Sequence, residues 1–87
     1  MDKQVITLIV RGKELFFEVT LESYNKYLND ITMNNKLAPA KNFLMRSVKT
    51  ESKEDLREIL DLPGAAPMLA NALQEEFLPD LDIVVGK

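Results

Sequence analysis

The stretch VITLIVRGKELFFEVT, residues 5–20, decides the fold. Its two halves, VITLIV (5–10) and LFFEVT (15–20), are dense in β-branched and aromatic side chains, which suit a pleated, half-buried surface. With Gly12 between them, the stretch reads as a β-hairpin. A two-residue turn at Gly12-Lys13 of type II′ places glycine at the first central position, where φ must be positive. That register pairs Val10 with Leu15, Leu8 with Phe17 and Ile6 with Val19. All six share one face, and all are apolar. The opposite face carries Ile9–Phe16, Thr7–Glu18 and Val5–Thr20, a mixed surface with an apolar spot at Ile9 and Phe16. Arg11 and Glu14 flank the turn with opposite charges.

Downstream of the hairpin the apolar period changes from two to between three and four. Leu21, Tyr24, Leu28 and Ile31 form a helix stripe, with Thr20 as N-cap and Glu22 in the first turn, where it suits the helix dipole. The polar run Met33-Asn34-Asn35-Lys36 ends it. Pro39 opens a second helix, where its missing N–H costs nothing, and Ala40, Phe43, Leu44, Ser47 and Val48 line its inner side. Ser52 and Asp55 have capping-box spacing ahead of Leu56, Ile59 and Leu60, the buried side of a short third helix that ends at Leu62-Pro63-Gly64. Pro67 opens a fourth, with Leu69, Ala72, Leu73, Glu76 and Phe77 on one side, and Pro79 stops it. Asp82-Ile83-Val84-Val85 reads as a short third strand that would return to the hairpin and shield one of its edges. The order is β-β-α-α-α-α-β, an α+β fold with helices on one face of a small antiparallel sheet. No repeat or long linker interrupts it, so one domain over 1–87 is expected.

The residue counts exclude much chemistry. The 87 residues hold no cysteine, histidine or tryptophan. Disulfides, thiolate nucleophiles, iron–sulfur clusters, the usual zinc sites and histidine-dependent triads therefore fall away. The three glycines, Gly12, Gly64 and Gly86, lie too far apart for a phosphate-cradling loop. No run of apolar residues is long enough to span a membrane. The N-terminus runs straight into strand-like sequence, so no signal peptide is expected and the cytoplasm is the expected location.

Net charge is -3, unevenly spread: residues 1–50 carry 8 Lys/Arg against 5 Asp/Glu, and residues 51–87 carry 3 against 9. Solvated helix faces are the plain reading of this polarity; a polarised partner surface is the sharper one. Glu51, Glu54, Asp55, Glu58 and Asp61 crowd the third helix, interleaved with Lys53 and Arg57. They are read as an outward face of ion pairs rather than an acid–base site, which would need a cleft to part their pKa values. Asp80 and Asp82 have the spacing of a DxD metal pair but are read as the entrance to the last strand; no metal or cofactor is expected. Ser23, Ser47 and Ser52 lack a histidine partner, and Ser47 is expected to bond a backbone carbonyl. Lys36, Lys41, Arg46 and Lys49, with Phe43 between them, could track a phosphate backbone, and Asn34, Asn35 and Asn42 could read bases. Phe43, however, belongs to the core stripe.

More informative is a surplus of apolar side chains. Both hairpin faces carry them, and Met33, Leu37 and Met45 fall off the helix stripes. Methionine adapts to irregular surfaces and is frequent at binding sites. Such a surface fills gaps under loops, or it receives a partner segment by edge addition or helix docking.

Three segments carry a family resemblance: ITLIVRGKELFFEVTLESYNKYLND (6–30), NNKLAPAKNFLMRSV (34–48) and LPGAAPMLANALQEEFLPDLDIVV (62–85). The APAKNFL core is followed by a short charged helix, a Pro-Gly break and a helix ending in EEFLPD. In this pattern the chain resembles the tail assembly chaperones of long-tailed bacteriophages and prophages over nearly its whole length. The resemblance implies a non-enzymatic role. Such chaperones bind the tape measure protein, keep it from aggregating, help tail-tube subunits polymerise around it, and do not remain in the virion. The expected partner surface draws on Ile9, Phe16, Met33, Leu37, Met45 and Phe43. Self-association is left open by the apolar outer face of the hairpin. The rival reading is a small nucleic-acid-associated regulator using the basic segment 36–49, whose binding would fall steeply with salt.

Overall fold

The computed structural model describes residues 3–86. Two antiparallel strands, β1 (Lys3–Val10) and β2 (Lys13–Thr20), are followed by α1 (Leu21–Asp30), α2 (Leu37–Ser47), a 3₁₀ turn (Thr50–Ser52), α3 (Lys53–Leu60) and α4 (Ala65–Phe77). This is an α+β fold. The sheet of the described residues holds two strands only. The expected third strand at 82–85 is absent: residues 79–86 carry no regular structure, and Ile83, Val84 and Val85 are exposed. Strand propensity lowers the cost of an extended conformation, but a strand forms only where a neighbour completes its hydrogen bonds.

The hairpin turn is Arg11-Gly12 rather than Gly12-Lys13. Both residues have positive φ, 52° and 85°, as a type I′ turn requires, with glycine at the second position. The register shifts by two accordingly: Ile6 faces Phe17, Leu8 faces Leu15 and Val10 faces Lys13. Because side chains alternate with period two, this shift leaves the apolar face intact. Leu15, Phe17 and Val19 are fully buried on it, with Ile6 beside them.

Thr20 caps α1 as expected. Its hydroxyl accepts from the Ser23 N–H at 3.0 Å, and Ser23 Oγ accepts from the Thr20 N–H at 3.2 Å, a reciprocal capping box. The inward residues of α1 are Tyr24 and Tyr27, while Leu21 and Leu28 of the expected stripe are exposed. The tyrosines turn inward because α2 offers them an aromatic partner. Tyr27 stacks on Phe43 at 4.7 Å between ring centroids, and Tyr24 meets Phe43 edge-on at 6.4 Å and Phe77 of α4 at 5.5 Å. Such pairs add to the gain from burial.

Both Pro39 and Pro67 are the third residue of their helix. The first helical bonds come one residue later, Ala40 N–H to the Lys36 carbonyl and Met68 N–H to the Gly64 carbonyl, so neither proline removes a needed donor. The α2 stripe Ala40, Phe43, Leu44, Ser47 and Val48 is buried throughout. Ser47 departs from expectation in one respect: its hydroxyl is buried with no hydrogen-bond partner. On α4, Leu69 and Leu73 are buried as expected together with Ala65, Ala66 and Ala70, whereas Glu76 is exposed. The buried residues form one cluster between the hairpin and the helices.

Candidate interaction surface

In an antiparallel pair, residues alternate between those that exchange ladder bonds and those whose backbone groups point outward. Phe16 is of the outward kind. Its N–H donates to Ser52 Oγ at 2.9 Å, and its carbonyl accepts from the Lys49 N–H at 2.8 Å. An isolated bridge joins Phe17 to Val48. The segment 48–52 therefore covers the outer edge of β2. Ser52 spends its hydroxyl here and makes no capping bond to α3, which corrects the capping-box expectation.

The other edge is open. Thr7 faces Phe16 across the pair, so its N–H and carbonyl also point outward, and the period of two extends this to Val5 and Ile9. Among the described residues no backbone group bonds to that edge. Exposure follows the same division. Leu15, Phe17 and Val19 of β2 are fully buried, whereas Leu8 and Val10 of β1 are half-buried.

The sequence candidates fall into separate places. Ile9 (71% exposed) and Phe16 (half-buried) lie on the outer hairpin face, as diagonal neighbours rather than a direct pair: Ile9 faces Glu14 and Phe16 faces Thr7. Met33 (93% exposed) sits between α1 and α2, and Leu37 is exposed in the first turn of α2. Met45 is half-buried against the core, in a groove shared with Lys41 and the α3 residues Glu54, Arg57 and Leu60. Phe43 is fully buried under Tyr27 and offers no surface to a partner, so it leaves the candidate set.

A further apolar region was not singled out by sequence reasoning. Val10, Arg11, Ile59, Leu62, Pro63, Ala65, Met68 and Leu69 line an apolar groove of about 490 Å³ at the turn end of the hairpin. Met68 is 65% exposed and Leu62 39%. The available signal was Met68, an apolar residue outside the Leu69/Ala72/Leu73 stripe. Beyond α4, Leu81, Ile83, Val84 and Val85 are all strongly exposed.

The polar groups are engaged in local roles. Lys13 Nζ lies 3.4 Å from Asp55 Oδ1 and 3.3 Å from Glu58 Oε1, tying the hairpin to α3. The bond to Glu58, then that to Asp55, raises the Lys13 pKa above its ordinary 10.5. Glu54 pairs with Arg57 at 3.1 Å on the exposed face of α3. Asp80 Oδ1 accepts from the Asp82 N–H at 2.9 Å, closing a local turn in which Asp82 has φ 51°. Among the described residues no group of three acidic side chains is placed to hold a metal ion. Lys36, Lys41 and Arg46 are exposed, but with Phe43 buried the basic segment presents no aromatic ring on which a base could stack. No helix among the described residues is long and apolar enough to cross a membrane.

Comparison with known proteins adds the family context. A family model described as phage tail assembly chaperone matches residues 6–87. A protein of Haemophilus phage HP1 (strain HP1c1), described as an uncharacterized 11.3 kDa protein in the lys 3′ region, is 40% identical over 83 residues. That match covers 95% of this chain and 81% of the relative. No solved structure matches the chain significantly.

Proposed function

Since the chain belongs to the phage tail assembly chaperone family, we propose that it binds a tape measure protein, keeps it from aggregating, and releases it to tail-tube subunits. The observation that carries this reading is the exposed apolar groove of Val10, Leu62, Met68 and Leu69. An amphipathic client helix could lay its apolar face there, with a methionine adapting to varied side chains. Ile9, Met33 and Leu37 supply additional apolar contact at other points of the surface. Contacts spread thinly in this way suit a chaperone, because release requires a fast off-rate rather than one deeply anchored residue.

The test is co-expression with the tape measure protein of the same phage, reading the soluble fraction of that client. The wild-type chain keeps it soluble. The pair Leu62→Glu and Met68→Glu abolishes the effect while leaving the chaperone folded. If the client stays soluble with this double variant and is lost only with Ile9→Ser and Phe16→Ser, the outer hairpin face is the client surface instead. Client solubility indifferent to the presence of the chain overturns the reading.

A further inference from the structure

We infer that Ile83–Val85 of one copy adds as an antiparallel strand to the open edge of β1 in a second copy, reciprocally, forming a closed two-fold dimer. The proposal is independent of the client reading, and it concerns pairing between chains, not a third strand within one chain.

Two unsatisfied features of the same molecule match each other. The first is the edge at Val5, Thr7 and Ile9, with outward N–H and carbonyl groups and exposed side chains. Such an edge is a template for strand addition unless covered or blunted. It lacks the covering segment that 48–52 supplies to β2, and beside it Leu8 and Val10 remain half-buried on the core face. The second feature is the run Ile83-Val84-Val85, three β-branched residues with 80%, 83% and 85% of their surface exposed. These are side chains that favour strands and gain from burial. Adding this run to the edge pairs its backbone and sets its side chains beside those of β1 on both faces, flanking Leu8 and Val10 on the core side.

Charge and chain direction argue for a second copy. Arg11 stands at the turn end of the edge and is in no ion pair among the described residues; Asp80 and Asp82 immediately precede the apolar run. An antiparallel strand brings those acids to the Arg11 end. The chain's own tail is not placed to do this. Gln4 Nε2 donates to the Glu76 carbonyl at 3.2 Å, so α4 ends beside the opposite end of β1. A tail folding back on its own edge from there would run parallel to β1. A second copy has no such restriction. Reciprocal exchange uses both edges and both tails and therefore closes, whereas one-way addition would polymerise.

The experiment measures the oligomeric state of the full chain by analytical ultracentrifugation across a concentration series, with backbone amide exchange at 5–9 and 83–85. The expected result is a monomer–dimer equilibrium in which both segments gain protection with dimerisation. Thr7→Pro removes an outward donor but no bond of the ladder to β2, since edge positions tolerate proline. Val84→Asp places a charge in the added strand. Each weakens the dimer at least ~10-fold, a loss of about 1.4 kcal/mol or more, with far-UV dichroism confirming retention of fold. Mixing the two variants gives a heterodimer that is tighter than either variant's own dimer but weaker than wild type, because the intact tail of one meets the intact edge of the other while the second exchange carries both changes. A chain that stays monomeric at hundreds of micromolar overturns the proposal, whether its tail amides are exposed or are protected by its own β1. A dimer indifferent to Val84→Asp also overturns it.

Discussion

The two strands of the hairpin are eight residues each and both rich in strand-forming side chains, yet they occupy different environments. β2 has Leu15, Phe17 and Val19 in the core and its outer edge covered by 48–52. β1 has Ile6 as its one buried residue and an outer edge open to solvent. The difference lies in what packs alongside each strand. The end of α2 leads straight into Val48, bridged to Phe17, and Lys49, whose N–H bonds to the Phe16 carbonyl, whereas the tail after α4 does not pair with β1. One side of the sheet therefore serves stability, and the other is available for association.

The sharpest way to break this contrast is Phe17→Ala, which should cost about 3–5 kcal/mol. That is a large share of the 5–15 kcal/mol typical of a native domain, and denaturant titration should show a greatly lowered midpoint. The equivalent change on the open strand, Val5→Ala, should stay within about 0.5 kcal/mol. Ser52→Ala tests the cover on β2. It leaves the Phe16 N–H without its partner and should cost about 1–3 kcal/mol, with faster amide exchange at Phe16. Gly12→Ala tests the shared turn. Nothing crowds a Cβ there, so the cost is that of holding a non-glycine residue at φ 85°, about 1–2 kcal/mol. Thr20→Ala removes the α1 cap for about 1 kcal/mol.

The smallest effect is expected at alkaline pH. Burial, and secondarily the neighbouring Tyr24, raises the Tyr27 phenol above its ordinary 10.0, and the acidic partners raise Lys13 above 10.5. Both groups hold their protons more tightly in the folded chain than in the unfolded one, so their contribution to stability is present below their ordinary values and is lost as pH rises past them. Denaturant midpoints measured on either side of pH 10 should show the decline. Tyr27→Phe should lessen it, and a midpoint that rises instead would contradict the sign.

The hairpin shows how the core could be read while the register was not. Arg-Gly-Lys accommodates a turn with glycine first or second, and the choice moves the pairing by two residues. A shift of two keeps every side chain on its face, so Ile6, Leu15, Phe17 and Val19 were legible as core in either register. The α2 stripe was legible because Ala40, Phe43, Leu44, Ser47 and Val48 recur at helical spacing. In α1 the spacing named Leu21, Tyr24, Leu28 and Ile31. Tyr24 is buried and Ile31 packs against the core, but Leu21 and Leu28 are exposed, and Tyr27, stacked on Phe43, takes an inward place the stripe did not name. For the interaction surface, Ile9, Met33 and Leu37 stood out as surplus and are exposed, whereas Phe43 is core. The Val10–Leu62–Met68 groove combines residues from β1, the α3–α4 connection and α4, and no local pattern in the chain links them.

What the sequence by itself determined was local. Apolar period set most element types, Thr20 set the start of α1, the two prolines fixed the first turns of α2 and α4 though not their first residues, and the absence of histidine and cysteine removed whole classes of chemistry. These follow from covalent structure and near-neighbour forces, which act wherever the chain goes. Tertiary structure alone decided that one hairpin edge is covered and the other open, that Ser52 bonds to β2 instead of capping α3, and that the strand-like run 83–85 finds no partner strand within its own chain. Each of these depends on whether a distant segment arrives to complete a hydrogen bond or bury a side chain, and that is a property of the assembled fold rather than of any stretch within it.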